Sequence, residues 1–538
     1  MNLLALLFHA SPGMIVIALG AGLVNGVCHA SLLALINKVL HHEGASLAPV
    51  MWPFIGLGLA TVLTGTLSSL LLYRFAQHTI AKLRMDLSRQ ILGATLPHIE
   101  GIGSARLMAT LTDDLHAITQ SLLIMPQLAL NSAILMACAV YLCWLSWGVF
   151  VPMAAGVLAG VGGYRFWSAS AFAIMRRGRA EQDTLFSHFR ALTEGFKELK
   201  LNRQRREAFL KDHLFPSITA LQRYNIMTSV RFVMADGWSL LLLFGLIGVL
   251  LFGLSGSDDI GKSVLTGYVL TTIYMMRPLG MMLRNVPLMA RGQVALRNVE
   301  TLGFSLQAPA DLPGSAEVDD PKPCSLVALR DVTYTYYQVE EDRPFTLGPL
   351  TLDLQPGEVI FIVGGNGSGK TTLAKLLCGL YVPDHGEVYW DQQPVTDASR
   401  EAYRQLFSAV FADCYLFETL LGVHETAPDG WAQDYLTQLQ LSHKVTVQQG
   451  VLSTTALSQG QKKRLVLLAA YLEDRPIYIF DEWAADQDPY FRSVFYTKLV
   501  PELQAVGKTV LVITHDTRYY HLADRLLRLD DGKLIEAQ

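Results

Sequence analysis

A run of mostly apolar residues, Glu358-Val359-Ile360-Phe361-Ile362-Val363, leads straight into Gly364-Gly365-Asn366-Gly367-Ser368-Gly369-Lys370-Thr371, and Thr372-Leu373-Ala374-Lys375-Leu376-Leu377 continues as a helical pattern. Glycines at these spacings let successive backbone N–H groups turn toward one point. A helix starting there adds the positive end of its dipole, so the segment suits a chain of phosphates. Lys370 is expected to reach the outer phosphates and the Thr371 hydroxyl to ligate magnesium. Gly364, Asn366, Gly367, Gly369 and Thr372 complete the expected nucleotide-contacting set. An ordinary glycine-rich turn is the competing explanation, and the strand–loop–helix context weighs against it.

Two further runs end in groups that suit phosphate chemistry. Ile477-Tyr478-Ile479-Phe480-Asp481-Glu482 is an apolar strand closed by two carboxylates. Asp481 suits a magnesium shell, and Glu482 suits the group that orients or deprotonates an attacking water. Val510-Leu511-Val512-Ile513-Thr514 ends at His515, which could hold that water and Glu482 in line with the outermost phosphate. Apolar strands often end in acids, and a lone histidine at a strand end more often serves structure. Each of these gains weight only beside the phosphate loop.

Leu457-Ser458-Gln459-Gly460-Gln461-Lys462-Lys463-Arg464 opens another helical pattern and alone reads as a polar helix start. With the phosphate loop it resembles the ABC transporter family, whose signature reads Leu-Ser-Gly-Gly-Gln; the departure is at Gln459. The resemblance covers essentially the whole chain and implies ATP and magnesium as cofactors. It implies that Ser458 and Gly460, with Gln461 in the same motif, serve the γ-phosphate of ATP bound to an opposite subunit. It further implies that Asp488 is an aspartate at the dimer interface and that Tyr336 stacks on adenine. Tyr337 rivals Tyr336 for that role, and an exposed strand aromatic is the plain alternative for both. The family's glutamine between the phosphate loop and the signature should fall in Val410-Phe411-Ala412-Asp413-Cys414-Tyr415-Leu416-Phe417. This chain has Ala412 there, so that contact is missing or passes to Asp413.

The elements that must position these residues fall into two halves. Of the 538 residues, 51% are hydrophobic and 17% charged, against roughly 25% charged in soluble globular chains. Six long apolar runs, at residues 13–36, 50–73, 122–144, 147–168, 232–254 and 264–282, each approach the roughly 20 residues that a helix needs to cross hydrocarbon. A buried soluble helix could explain one such run but hardly six in series. Arg74, Lys82, Arg84, Arg89 and Arg106 follow the second run, and Arg176, Arg177, Arg179, Arg190, Lys197 and Lys200 follow the fourth. The loops near His41 and Ser255 lack this excess. The positive-inside bias then places both termini and the two long loops in the cytoplasm. Residues 75–96 and 184–202 keep helical patterning with few breakers, so the spanning helices are expected to continue out of the membrane.

A Pro/Ala/Asp/Gly-rich stretch beginning near Gln307 marks a boundary, and alternating strand and helix patterns follow it. The expectation is an all-α six-helix transmembrane domain over residues 1–305, a linker over 306–324, and an α/β P-loop nucleotide-binding domain over 325–538. The short opening run from Leu3 to Phe8 has no preceding Lys or Arg and no small-x-small cleavage site, so a cleaved signal peptide is not expected. The net charge of −4 carries no basic tail, so a nucleic-acid partner is not expected. Six scattered cysteines without a Cys-x-x-Cys pair read as reduced, small hydrophobes rather than a disulfide frame or a zinc site.

One membrane half and one ATPase half resemble an exporter half-transporter, which implies a homodimer unless another partner supplies the second signature. Asp481-Glu482-Trp483-Ala484-Ala485-Asp486-Gln487-Asp488-Pro489 with Phe491-Arg492, together with Thr514-His515-Asp516, is similar to the cyclic peptide exporter branch. That branch handles peptide siderophore precursors, lipopeptide toxins and lasso-peptide microcins. The resemblance therefore implies export of a peptide-like compound across a bacterial inner membrane. A lipid or hydrophobic-drug exporter and a non-transporting regulatory ATPase are the rival readings. Candidates for the substrate path are Asn25, His29, Asn131, Asp236, Tyr268 and Tyr274, since polar groups inside membrane helices are functional candidates. They serve equally well as bonds between helices. Residues 101–111 and 194–202 are the candidate contacts that pass nucleotide-driven motion to the spans.

Overall fold

A computed structural model describes residues 12–41, 48–253, 261–303, 326–336, 345–422 and 429–537. Two compact units emerge, one of Met1–Met85 with Met108–Gln307 and one of Asp86–Leu107 with Ala308–Gln538. The expected linker, the two short loops beyond His41 and Leu254, and Tyr337 lie outside the described residues.

In chain order the helices are α1 (Pro12–Leu40), α2 (Ala48–Gly93), the short α3 (Leu96–Ile102), α4 (Leu115–Leu145), α5 (Trp147–Glu194), α6 (Phe215–Gly248) and α7 (Lys262–Thr301). At 1.5 Å per residue, α2 with 46 residues and α5 with 48 run for roughly 70 Å. That is over twice the roughly 30 Å of hydrocarbon, so both helices extend well beyond any membrane, as the sequence predicts. Among the described residues, five helices are long and apolar enough to span. The sixth, α7, is long but diluted by Thr266, Thr271, Thr272, Arg277 and Arg284.

Small residues set the packing within the helical unit. Gly156, Gly160 and Gly163 of α5 face Leu246, Leu242 and Trp238 of α6; a Cβ at Gly163 would lie 1.9 Å from the Trp238 indole nitrogen. A helix whose driving force is not hydrophobic burial needs such close approach, and glycines three and four apart supply it. On the other side, a Cβ at Gly26 of α1 would lie 2.5 Å from the Ala133 carbonyl of α4. Ser121 of α4 donates to the Leu288 carbonyl of α7 at 2.8 Å.

The polar candidates now separate. Asn25 donates to the Thr61 carbonyl at 2.6 Å, the His29 ring pairs with the Tyr274 hydroxyl at 2.6 Å, and Tyr268 donates to the Leu142 and Ser146 carbonyls at 2.7 and 2.6 Å. Asn131 reaches the Met281 sulfur at 3.9 Å. These five tie helices together. Asp236 makes no such bond among the described residues.

The second unit holds strands β1 (Val327–Tyr336), β2 (Phe345–Leu354), β3 (Val359–Val363), β4 (His385–Trp390), β5 (Gln393–Pro394), β6 (Phe407–Val410), β7 (Val447–Gln448), β8 (Val451–Leu452), β9 (Ile477–Asp481), β10 (Thr509–Ile513), β11 (Arg525–Asp530) and β12 (Lys533–Ala537). Six form a sheet in the order β12-β11-β3-β10-β9-β6, parallel except at the β11–β12 edge. β3, β9 and β10 are buried at every residue, which is why they read as unbroken apolar runs rather than alternating ones. A second sheet, antiparallel and ordered β2-β1-β4-β5, was not legible as such in the sequence. Helices α8 (Lys370–Leu377) and α9 (Gln459–Glu473) begin at the two motifs singled out above.

Candidate active site

β3, β10 and β9 lie side by side, with Ile362 level with Ile513 and Ile513 level with Asp481. Three segments far apart in sequence therefore emerge at one edge: the loop after Val363, the Asp481-Glu482 pair and Thr514-His515. The carboxyl ends of parallel strands are where open α/β sheets offer a crevice to ligands. The Glu482 amide donates to the Ile513 carbonyl at 3.1 Å, and the Thr514 amide donates to the Ile362 carbonyl at 3.1 Å.

Within the loop, Gly367 and Gly369 hold φ of 78° and 98°, a region that side chains resist. A Cβ on Gly364 would sit 2.2 Å from the Leu529 carbonyl oxygen, so that position tolerates glycine alone. Lys370, only 6% exposed, folds back to donate to the carbonyls of Gly364 and Gly365 at 3.1 and 2.9 Å. Its ammonium lies 4.0 Å from the Glu482 carboxylate. Burial lowers the Lys370 pKa, and the charges of Glu482 and Asp481 oppose that.

The Thr371 hydroxyl donates to Asp481 Oδ2 at 2.7 Å. Asp481 Oδ1 is buried with no hydrogen-bond partner among the described residues. Burial raises the Asp481 pKa; the Thr371 bond offsets this in part, and the nearby charges of Glu482 and Asp413 add to it. A buried carboxylate oxygen without a donor, beside a hydroxyl, is an oxygen set that fits a hard divalent cation such as magnesium. Ser368, absent from the expected set, also keeps a buried hydroxyl without a partner.

Glu482 has φ 49°, a left-handed conformation that is uncommon for a non-glycine residue. That turn aims its carboxylate at His515, with Nε2 to Oε1 at 3.1 Å. A cavity of about 460 Å³ opens beside Glu482, Thr514 and His515. Tyr336 ends β1 opposite Phe345, whose ring would lie 3.2 Å from a Cβ at Gly369. Tyr336 itself is exposed, and Phe345 is the ring that borders the phosphate loop. Ala412 and Asp413 are exposed.

The signature residues form a second constellation. Ser458 caps α9: its hydroxyl accepts from the Gln461 amide at 3.4 Å while the Gln461 side chain accepts from the Ser458 amide at 3.3 Å. That reciprocal box satisfies two otherwise orphaned donors and gives the Gln461 side chain a capping partner. Gly460 sits where a Cβ would come 2.8 Å from the Asp486 carbonyl, and Gln487 donates to its carbonyl at 3.1 Å. Arg464 bonds Gln487 at 2.8 Å, pairs with Asp488, and lies 3.8 Å over the Phe491 ring. Trp483 donates to the Lys463 carbonyl at 2.9 Å and Lys463 pairs with Asp486 at 2.7 Å. The start of α9 and the segment 483–488 therefore make one block. Asp488 caps the next helix by accepting from the Phe491 amide at 2.9 Å. That bond, helped by Arg464, holds its carboxyl below the usual range.

A third cluster escaped the sequence reading. Leu96 of α3 packs on the core of the second unit. Glu100 accepts from Lys375 of α8 at 2.7 Å and from the Tyr381 hydroxyl at 2.5 Å. Tyr381 in turn stacks on Tyr334 of β1 at 4.7 Å. These bonds come from just before residues 101–111, the stretch expected to make them.

Comparison with known proteins agrees with this geometry. Residues 13–211 match the ABC transporter transmembrane region and residues 347–485 match the ABC transporter family model. The chain is 37% identical to the ATP-binding protein SyrD of Pseudomonas syringae pv. syringae, over 99% of this chain and 96% of that protein. It is 26% identical to an ATP-dependent lipid A-core flippase of Burkholderia orbicola over 97% of this chain and 90% of the other. A bacterial Atm1-family ABC exporter solved with ATP bound shares its fold, with a TM-score of 0.73 at 18% identity, covering 99% of this chain and 95% of that one. The chain therefore belongs to the ABC transporter family as an exporter half-transporter, an ATPase coupled to transport.

Proposed function

We propose that this protein uses ATP to export a peptide-like compound from the cytoplasm across a bacterial inner membrane, working as a homodimer. The observation that carries this reading is the meeting of Lys370, the Thr371–Asp481 pair and the Glu482–His515 pair at one sheet edge, on a chain that matches SyrD from end to end.

Loop amides between Gly364 and Gly369 cradle the phosphates, and Lys370 turns from the loop carbonyls to the outer phosphates. Thr371 and Asp481 would hold magnesium, which would supply positive charge beside the phosphates. Glu482 accepts the proton of the attacking water, and His515, bonded to Glu482, keeps that carboxylate aimed. Tyr336 stacks on adenine. Ser458 and Gly460 of a second copy close over the γ-phosphate, so two nucleotides draw the cytoplasmic domains together and hydrolysis releases them. With Ala412 in the glutamine position, the contact that the family gives to glutamine is missing or would pass to the exposed Asp413.

A lipid substrate is the second reading, favoured by the near-full-length likeness to the flippase. Uptake into inside-out vesicles decides between them. Peptide-like compounds should accumulate with ATP and fail to do so with Lys370→Ala. Uptake of lipid alone overturns the peptide reading, and no uptake of either overturns export.

A further inference from the structure

His515 stands between two residues that are both met from one helical stretch. After Asp488 the chain enters α10 (Pro489–Val494) and runs on through a π-helical turn, Phe495–Leu499. Arg492 and Tyr496 lie four residues apart there, about one turn, and so share a face. The Tyr496 and Thr514 hydroxyls share a hydrogen bond at 2.6 Å, and the Thr514 hydroxyl accepts from the Asp516 amide at 3.0 Å. Arg492 Nη1 lies 3.7 Å from Asp516 Oδ2. The residues immediately before and after His515 are therefore each engaged by one side chain of the same stretch.

Arg492 also reaches the turn that follows Glu482. Its Nη2 donates to the carbonyls of Ala485 and Gln487 at 3.3 and 3.2 Å. One planar guanidinium thus spans from the segment leaving Glu482 to the segment leaving His515, and the 3.1 Å Glu482–His515 contact closes the ring on its other side. A rigid fork of donors fixes distance and angle together, which a flexible ammonium does not. Both anchors are themselves firm. Tyr496 and Thr514 are buried, and the Tyr496 ring stacks on Tyr519 at 4.4 Å. Arg518 binds both carboxylate oxygens of Asp516 at 2.9 and 2.7 Å and is the main cause of its lowered pKa. Asp516 is therefore an anion at neutral pH without help from Arg492. What Arg492 adds is a link between two segments, not a charge.

We infer that Arg492 and Tyr496 are positioning residues for ATP hydrolysis, a clamp that holds the backbone on both sides of His515 against the turn after Glu482. The imidazole and the carboxylate keep their bonded distance because the two segments that carry them cannot part. The clamp acts through His515 and Glu482 and not on the nucleotide, so its loss slows the chemical step and spares binding. This inference rests on the hydrolytic roles proposed above for Glu482 and His515.

The test is steady-state ATP hydrolysis by the full-length protein in nanodiscs, with nucleotide binding and thermal unfolding measured beside it. Arg492→Met keeps the stem and removes the fork. It should lower kcat by about tenfold to a hundredfold, the cost of misplacing a catalytic group by about an ångström, while KM for ATP and nucleotide binding stay at wild-type values. Tyr496→Phe keeps the buried ring and removes only the hydroxyl, and should lower kcat by about threefold or more, the scale of one lost hydrogen bond. On a His515→Ala background either substitution should cost nothing further, because the group it positions is gone. Normal kcat in both variants, a rise in KM with kcat unchanged, or a drop in kcat of the same size with and without His515 overturns the clamp. If Arg492→Met unfolds early or loses nucleotide binding, Tyr496→Phe with and without His515 decides by the same criteria. The underlying reading fails separately: Glu482→Gln or His515→Ala hydrolysing ATP at the wild-type rate overturns the roles of that pair, and the clamp with them.

Discussion

Glu482 depends on its backbone as much as on its carboxylate, because the left-handed turn at φ 49° is what brings Oε1 to His515. Glu482→Gln keeps the shape and loses the base, so turnover should fall by about 10²–10⁴-fold while ATP binding persists; steady-state hydrolysis beside nucleotide binding reads this. Asp481 gives a pH prediction. Its folded pKa is raised by burial, so its protonated form is favoured beyond the usual carboxylate range, whereas magnesium needs the anion. Magnesium affinity should therefore decline with falling pH earlier than an ordinary carboxylate would cause, and Asp481→Asn should flatten that decline. A titration of magnesium binding at several pH values checks both. Asp488 has the opposite sign. Its carboxyl is held low by the Phe491 amide first and then by Arg464, so its contribution is present at neutral pH and lost only on strong acidification.

Glu100 on α3 is bonded to Lys375, on the same helix that begins with Lys370. Glu100→Gln should leave basal ATP hydrolysis close to normal while reducing its stimulation by transported compound, a split that activity with and without substrate reveals. In the helical unit the Gly163–Trp238 seam makes a stability prediction. Gly163→Ala forces a methyl within 1.9 Å of the indole nitrogen, and such overpacking typically costs about 1–3 kcal/mol, seen as earlier thermal unfolding in detergent. Motifs with fixed spacing were legible in the sequence: the phosphate loop, Asp481-Glu482 and His515 each close an apolar strand, and strand order alone brings them together. Contacts between distant segments were not. Arg464 lies 24 residues from Asp488 and Glu100 lies 275 from Lys375, and no local pattern announces such pairs. The membrane polar residues looked alike in sequence, and geometry separated Asn25, His29 and Tyr268, bonded to neighbouring helices, from Asp236. The antiparallel sheet was hidden because β1 and β2 carry irregular register, with shifts between Leu329 and Val332 and between Val332 and Tyr334.

At the scale of the whole molecule, one chain carries a complete phosphate site and a complete signature, but as two separate constellations. The second is stiffened by Arg464, Trp483 and Gln487. If a second copy supplies the signature, each ATP site is shared. Mixing two inactive copies tests this directly. Lys370→Ala removes the phosphate grip and Ser458→Arg blocks the signature, so each homodimer should be inactive. A mixed dimer still pairs one intact loop with one intact signature. Random mixing then predicts recovery of about a quarter of wild-type ATPase activity; a mixture as inactive as either parent would contradict the shared site on which the whole mechanism depends.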